Sequence, residues 1–206
     1  MLDTNLTIEQ IQSQLAHIDQ FNLRRNIVVP NVSFGLLEYE ADFVSLSKSG
    51  YLTEVEIKRS WEDFRKDFKK KHMHDDPRIA YFYYCVPKSI AYRVMDALYF
   101  VEPANTIRKY RITGIKEGVP TNAGLITYDN HDWQGNKCKW IDIDFMAIAG
   151  RRKAARKLTD QEQLKLAHLG CMRLWDLKKK ISKLQEYDLF NSQNNKSLNH
   201  DKARSF

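Results

Sequence analysis

Three cysteines, Cys85, Cys138 and Cys171, are all that this chain of 206 residues contains, and no two of them form a C-x-x-C pair. That spacing offers neither a zinc template nor a disulfide framework, and it fits a reducing, cytoplasmic setting. Long apolar runs are missing too. No stretch approaches the roughly 18 apolar residues of a membrane span, and the opening MLDTNLTIEQ lacks the basic-then-apolar order of a secretory signal. A soluble, intracellular protein with no membrane partner is expected. There is no G-x-x-x-x-G-K-S/T loop, no dinucleotide fingerprint and no nucleophile elbow, which argues against a nucleotide cofactor and ATP-driven translocation.

What is abundant is charge. Thirty-three Lys and Arg face 26 Asp and Glu, giving a net charge of +7 and a pI near 9.2. Such a balance favours a polyanionic partner such as nucleic acid. The length suits one domain with a proper core, with room for an appendage.

Thr7-Ile8-Glu9-Gln10 has capping-box spacing, and Ile8, Ile11, Leu15 and Ile18 mark one face, predicting a helix over 8–19. NIVVPNVSF is extended but carries Pro30, which belongs at a sheet edge. The apolar stripe Trp61, Phe64, Phe68 predicts a helix over 61–71. RIAYFYYCV, residues 78–86, reads as a strand buried on both faces, its aromatics being core and not a base-stacking platform. Ser89 stands where it can cap a helix through Tyr99, a further strand is expected at 124–128, and Thr159-Asp160-Gln161-Glu162 opens a long helix to about 187. Residues 100–122 and 130–150 carry no decisive pattern. This order describes an α/β layer with a mixed sheet.

The stretch YLTEVEIKRS, residues 51–60, carries the chemistry. Glu54, Glu56 and Lys58 alternate with Val55 and Ile57, so they share one strand face. With SKSG as a turn and Leu46 opposite Leu52, Asp42 falls opposite Glu56 and Glu40 opposite Lys58, while Glu38 and Glu54 sit nearer the ends of that face. A solvated strand face gives such a pattern as well. Opposed carboxylates repel, however, unless a cation or lysine lies between them. A hard divalent ion held by Asp42, Glu56 and the backbone carbonyl of Ile57 accounts for the gathering.

A strand bearing Asp42, a turn, a strand bearing Glu56-Ile57-Lys58 and then a helix resembles the core of the PD-(D/E)XK nuclease superfamily, the restriction-endonuclease-like fold. The longer pattern from Glu38 to Pro87, with EADFV, GYLTEVEIKRS, WEDFRKDFKKKH and YYCVP, resembles the MmcB-type DNA-repair branch and its phage-encoded relatives. Ala41 stands where the superfamily name has Pro. The resemblance implies a mixed β-sheet flanked by helices and a metal-dependent DNA endonuclease of repair, recombination or phage DNA metabolism. Asp42 and Glu56 would bind Mg²⁺ or Mn²⁺, and Lys58 would assist the attacking water. Glu9 and Glu40 are the accessory candidates, Glu40 equally as the partner of Lys58. The alternative is a non-cleaving DNA-structure-binding protein on the same fold. A homodimer is compatible with either.

The implied organisation is a nuclease-like domain over 1–150, a basic helical extension over 151–190 and a disordered tail over 191–206. Arg151, Arg152, Lys153, Arg156 and Lys157 are the phosphate-contacting candidates, ahead of Lys69-Lys70-Lys71 and Lys178-Lys179-Lys180. Asp63 and Asp67 match acidic positions of the MmcB-type pattern but are also placed to pair with cations on a solvated helix face. His72 and His74, beside Asp75 and Asp76, lack further ligands at a zinc spacing and read as a helix end and loop.

Overall fold

The computed structural model describes residues 6–33, 35–69, 74–103, 110–120, 122–131 and 140–203. His72, Cys138, Lys70 and Lys71, named above, lie outside the described residues. The chain divides into two compact units, Met1–Ala167 and His168–Phe206.

The first unit is built on a six-stranded mixed sheet of order β1-β2-β3-β4-β7-β8. Its strands are β1 (Ile27–Val32), β2 (Ala41–Leu46), β3 (Leu52–Ile57), β4 (Ile79–Pro87), β7 (Gly124–His131) and β8 (Trp140–Ala147). β5 (Tyr99–Pro103) and β6 (Tyr110–Ile115) pair separately as a two-stranded sheet. The helices are α1 (Ile8–Leu15), α2 (Trp61–Asp67), α3 (Ala91–Leu98) and α4 (Asp160–Ala203).

β1, β2 and β3 form an antiparallel meander, with Pro30 on the edge strand, where a missing N–H costs no ladder bond. The β2–β3 turn is closed by Gly50 N–H donating to Ser47 O (2.9 Å), and Gly50 takes φ +84°, a conformation glycine reaches without steric cost. β3 and β4 are parallel, so the chain must cross over, and α2 makes that crossing. β4 and β7 are also parallel, whereas β8 returns antiparallel on β7. The α/β layer with a mixed sheet is therefore as expected.

The capping boxes form. Thr7 Oγ accepts from Gln10 N–H while the Gln10 side chain accepts from Thr7 N–H, and Thr159 and Glu162 bond reciprocally in the same way. Helix lengths differ from the expectation. α1 stops at Leu15 and α2 at Asp67. Ser89 makes no side-chain cap, and the chain there forms a 3-10 turn over Lys88–Ile90 before α3. α4 does not end near 187: it continues to Ala203, through the polar stretch expected to be a disordered tail. That stretch, residues 191–203, contains no Pro or Gly to break a helix.

One face of the sheet carries Phe43, Val55, Ile57, Tyr83, Cys85, Ile126 and Tyr128 and buries them against Leu6, Phe21 and Ile11 and Leu15 of α1. The other face carries Phe82 and Tyr84, on which α2 sets Phe64, its ring 5.1 Å from that of Tyr84. Glu54 and Glu56 stand in those rows, Glu54 beside Phe82 and Glu56 beside Tyr84. The acidic face is thus roofed by a helix.

Candidate functional site

The β2–β3 register pairs Leu46 with Leu52, Val44 with Glu54 and Phe43 with Val55. One step further brings Asp42 to Glu56. Asp42 is half-buried, its Oδ2 accepts from Ile57 N–H (2.8 Å), and its backbone carbonyl accepts from Gln12 Nε2 of α1 (2.7 Å). Lys58 follows the end of β3 and is fixed by its own backbone, N–H to Cys85 O (2.9 Å) and carbonyl from Tyr128 O–H (3.4 Å).

Lys58 does not face Glu40. Its ammonium donates to Glu56 Oε1 (2.6 Å) and Asp67 Oδ1 (2.7 Å), and Glu40, before the start of β2, is exposed. The partner role weighed for Glu40 therefore belongs to Asp67. Glu9 lies exposed in the first turn of α1, and it is Gln12 of that helix that reaches Asp42.

From Asp67 the network extends inward. Asp67 Oδ2 accepts from Tyr84 O–H (2.8 Å) and meets His74 Nε2 at 2.8 Å. His74 Nδ1 meets Glu54 Oε1 at 2.6 Å, and Glu54 Oε2 accepts from Tyr39 O–H (2.6 Å). Glu54, Glu56, Lys58, Asp67 and His74 are all at most 4% exposed. Arg152 adds a third cation, donating from Nη1 to His74 O (2.6 Å) and lying over the Phe82 ring. Three acidic and three basic side chains thus share one buried space.

An ionised carboxylate only accepts hydrogen bonds, so His74 carries a proton on Nε2 toward Asp67, and one on Nδ1 as well wherever Glu54 is ionised. The protonation energetics agree. Burial opposes a charge on His74, but its bonds to Asp67 and Glu54 outweigh that and push its pKa up to about 9. Burial likewise works to raise Asp67, yet His74 and Lys58 hold its carboxyl well below the usual range. For Glu54 burial prevails and the carboxyl is pushed up, against the bonds from His74 and Tyr39. The Tyr39 and Tyr84 phenols, buried beside carboxylates, are pushed up as well.

Sequence reasoning placed Glu54 on the right face but left it outside the centre, set His74 aside as a loop residue, and put Asp67 on a solvated face. Asp67 does form ion pairs, but at 1% exposure. A signal existed: Asp67 follows Phe64 by three positions and so falls on the apolar side of α2. Asp63 stays local, accepting from Arg59 N–H (3.2 Å). Ligand atoms of Glu54, Glu56 and His74 all lie within 4.8 Å of one another, a spacing that could hold a cation. Two of those three groups already engage Lys58 or Asp67.

The basic segment 151–157 divides. Its backbone is stitched to β4 and the turn before it, Arg152 N–H to Ala80 O (3.0 Å) and Arg156 N–H to Pro77 O (2.9 Å). This turns Arg152 inward, 6% exposed, away from any phosphate. Arg156 is held by a bidentate pair with Glu162 (2.6 and 2.7 Å). Arg151, Lys153 and Lys157 are exposed, the first and last flanking the Tyr51 ring at 5.3 and 5.5 Å.

No family model matches this chain, and no curated protein does. A solved structure that it is similar to is the SPO1766 protein of unknown function from Silicibacter pomeroyi, at 15% identity over 87% of this chain and 94% of that one, with a TM-score of 0.48.

Proposed function

We propose that the protein is a metal-dependent phosphodiesterase acting on DNA, with Asp42, Glu56 and Lys58 as its working residues. The observation that carries this reading is the juxtaposition of Asp42 and Glu56 on adjacent strands, with the Lys58 ammonium 2.6 Å from Glu56. Two carboxylates from neighbouring strands form an oxygen donor set, which suits Mg²⁺ or Mn²⁺ and not a softer ion, and the Ile57 carbonyl is adjacent in the chain. Such a cation, when bound, supplies Lewis acidity and a water of lowered pKa.

The chain's own residues do the rest. Lys58 brings a positive charge to the place where phosphoryl oxygens gain negative charge, and its rigid backbone anchoring means little reorganisation is needed as that charge develops. Asp67, itself held by His74, accepts from the ammonium, and Gln12 and the Ile57 N–H fix the Asp42 strand position. Arg151, Lys153 and Lys157 supply exposed positive charge for the DNA backbone.

A second reading is favoured by one specific observation, the commitment of Lys58 to both Glu56 and Asp67 in a buried pair. It holds that the network is structural and the protein binds branched or damaged DNA without cutting it. The test is cleavage of single-stranded, duplex, flapped and four-way-junction DNA with Mg²⁺, Mn²⁺ or EDTA, comparing wild type with Asp42→Asn and Lys58→Met after each is checked for folding by circular dichroism. Metal-dependent cutting that both variants lose supports the nuclease. Retention of branched DNA on a gel with no cutting under any metal supports the second reading, and neither cutting nor retention refutes both.

A further inference from the structure

Of the large apolar side chains of α4 that stand in water, Leu164, Met172 and Trp175 among them, four fall in one row: Leu174 (51% exposed), Leu177 (54%), Ile181 (45%) and Leu184 (65%). Their spacing of three, four and three places them within about 80° of helix circumference. An apolar stripe that faces a protein core spans roughly 100° or more, and a strict a/d stripe of this narrowness is the seam of a helix pair. With Leu174 at position a, the flanking e and g positions are Arg173, Lys178, Lys180 and the neutral Gln185. The same heptad positions carry Ala167 and Gly170 before the stripe and Asp188 and Asn191 after it, so the apolar seam is two heptads long.

The flanking charges say what fits. In a parallel pair of two copies Arg173 would meet Lys178, and in an antiparallel pair Arg173 would meet Lys180, so either arrangement opposes like charges. A second copy is therefore disfavoured. DNA would meet the lysines but leave four apolar side chains exposed. A membrane surface calls for a broader apolar face than this one, and Trp175, the aromatic side chain nearest to serving as an anchor, lies about 100° off Leu174, with Lys178 Nζ 4.9 Å from its ring.

We propose that residues 173–185 dock an acidic amphipathic helix of a partner protein, one with leucine-like residues at its own a and d positions and Glu or Asp flanking them. Apolar seams then meet, and each of Arg173, Lys178 and Lys180 finds a carboxylate. The inference is independent of the nuclease reading, because none of these residues belongs to the site around Lys58.

The test uses the full chain and a fluorescein-labelled synthetic peptide of four heptads, with Leu at a and d and Glu at e and g. Control peptides carry Lys at e and g, or Ala at a and d. Fluorescence anisotropy is expected to show binding of the acidic leucine peptide that weakens about tenfold or more when salt is raised from 50 to 500 mM. Binding is also expected to weaken about tenfold or more in Leu177→Gln/Ile181→Gln, the loss for two seam side chains. Those positions are exposed and glutamine is a good helix former, so the variant keeps its fold. Equal binding of the alanine-seam or the lysine peptide would overturn the proposal. So would a wild-type dimer in sedimentation velocity that the double variant converts to monomer, or binding to phosphatidylserine vesicles in place of the peptide.

Discussion

His74 offers the sharpest test of the buried network, because its titration falls in an accessible pH range. Its ring meets Glu54 at 2.6 Å and Asp67 at 2.8 Å and lies tilted against the Phe82 ring, centroids 4.6 Å apart. Its pKa rises from 6.5 to about 9 on folding. A group whose folded pKa is raised stabilises fully below its unfolded value, and the contribution is lost as pH climbs through the folded value. The window is therefore pH 6.5 to about 9. Each unit is worth ~1.4 kcal/mol, so about 3 kcal/mol of stability should disappear across it. That is a large share of the roughly 5–15 kcal/mol that holds a domain together. Urea denaturation of wild type at half-unit steps from pH 6 to 9.5 should show the fall as a declining midpoint at constant slope. His74→Asn removes the titrating ring while keeping a residue that tolerates the φ of +52° at this position. Its stability at pH 6 should be lower and its decline over the window much shallower. Glu54, pushed up by burial and held lower by His74, loses its contribution in the same direction as pH rises, so the difference between wild type and variant, not the wild-type slope alone, reports the coupled His74–Glu54 pair. An identical decline in both proteins, or a flat wild-type profile, would refute the idea that His74 is an imidazolium clamped between two carboxylates.

Three other perturbations bear on the fold and the site. Lys58→Met strands Glu56 and Asp67 as unbalanced buried charges and should cost about 3–5 kcal/mol; adding Asp67→Asn in that background should cost less than the same change alone, and strict additivity in urea titrations would deny their coupling. Gly124→Ala would place a Cβ 2.5 Å from Tyr83 Cδ1 and 2.7 Å from Ala149 N, so overpacking of about 1–3 kcal/mol should lower the thermal midpoint by several degrees, and an unchanged midpoint would contradict the close packing of β4 against β7. Thr7→Ala removes the side-chain acceptor for Gln10 N–H and should cost about 1 kcal/mol, with faster hydrogen exchange confined to the first turn of α1.

Some of this structure is local enough to read from the chain. The β2–β3 hairpin follows from the SKSG turn, whose length sets Leu46 opposite Leu52 and with it every other pair of the ladder. Pro30 marks its own strand as an edge, and the continuous run over 79–86 marks a strand with neighbours on both sides. β8 is different. Ile141, Ile143 and Phe145 alternate there with Asp142 and Asp144, a period-two pattern short enough to stay undecided until β7 is seen to pair with it. β5 and β6 form a sheet of their own with a shifted register, a separation from the main sheet that the sequence does not announce.

The candidate site shows where such reading stops. Period-two alternation determines which residues share a strand face, so Glu54, Glu56 and Lys58 were legible as a group. Whether that face meets water or another layer depends on what the following helix does, and α2 lays Phe64 and Asp67 directly over it. The consequence is chemical. A lysine beside two carboxylates in water is a weak, screened ion pair, whereas the same lysine at 4% exposure, tied to Glu56 and to an Asp67 that His74 also holds, is fixed in position. Arg152 makes the same point from the other side. It sits in the most cationic segment of the first unit, yet the backbone bond to Ala80 turns it inward to brace the His74 loop. Charge in the sequence predicted a surface for DNA, and the fold spent one of those five cations on the interior. The electrostatic balance of the buried network therefore rests on a residue 94 positions beyond Lys58 in the chain, which no local motif could have supplied.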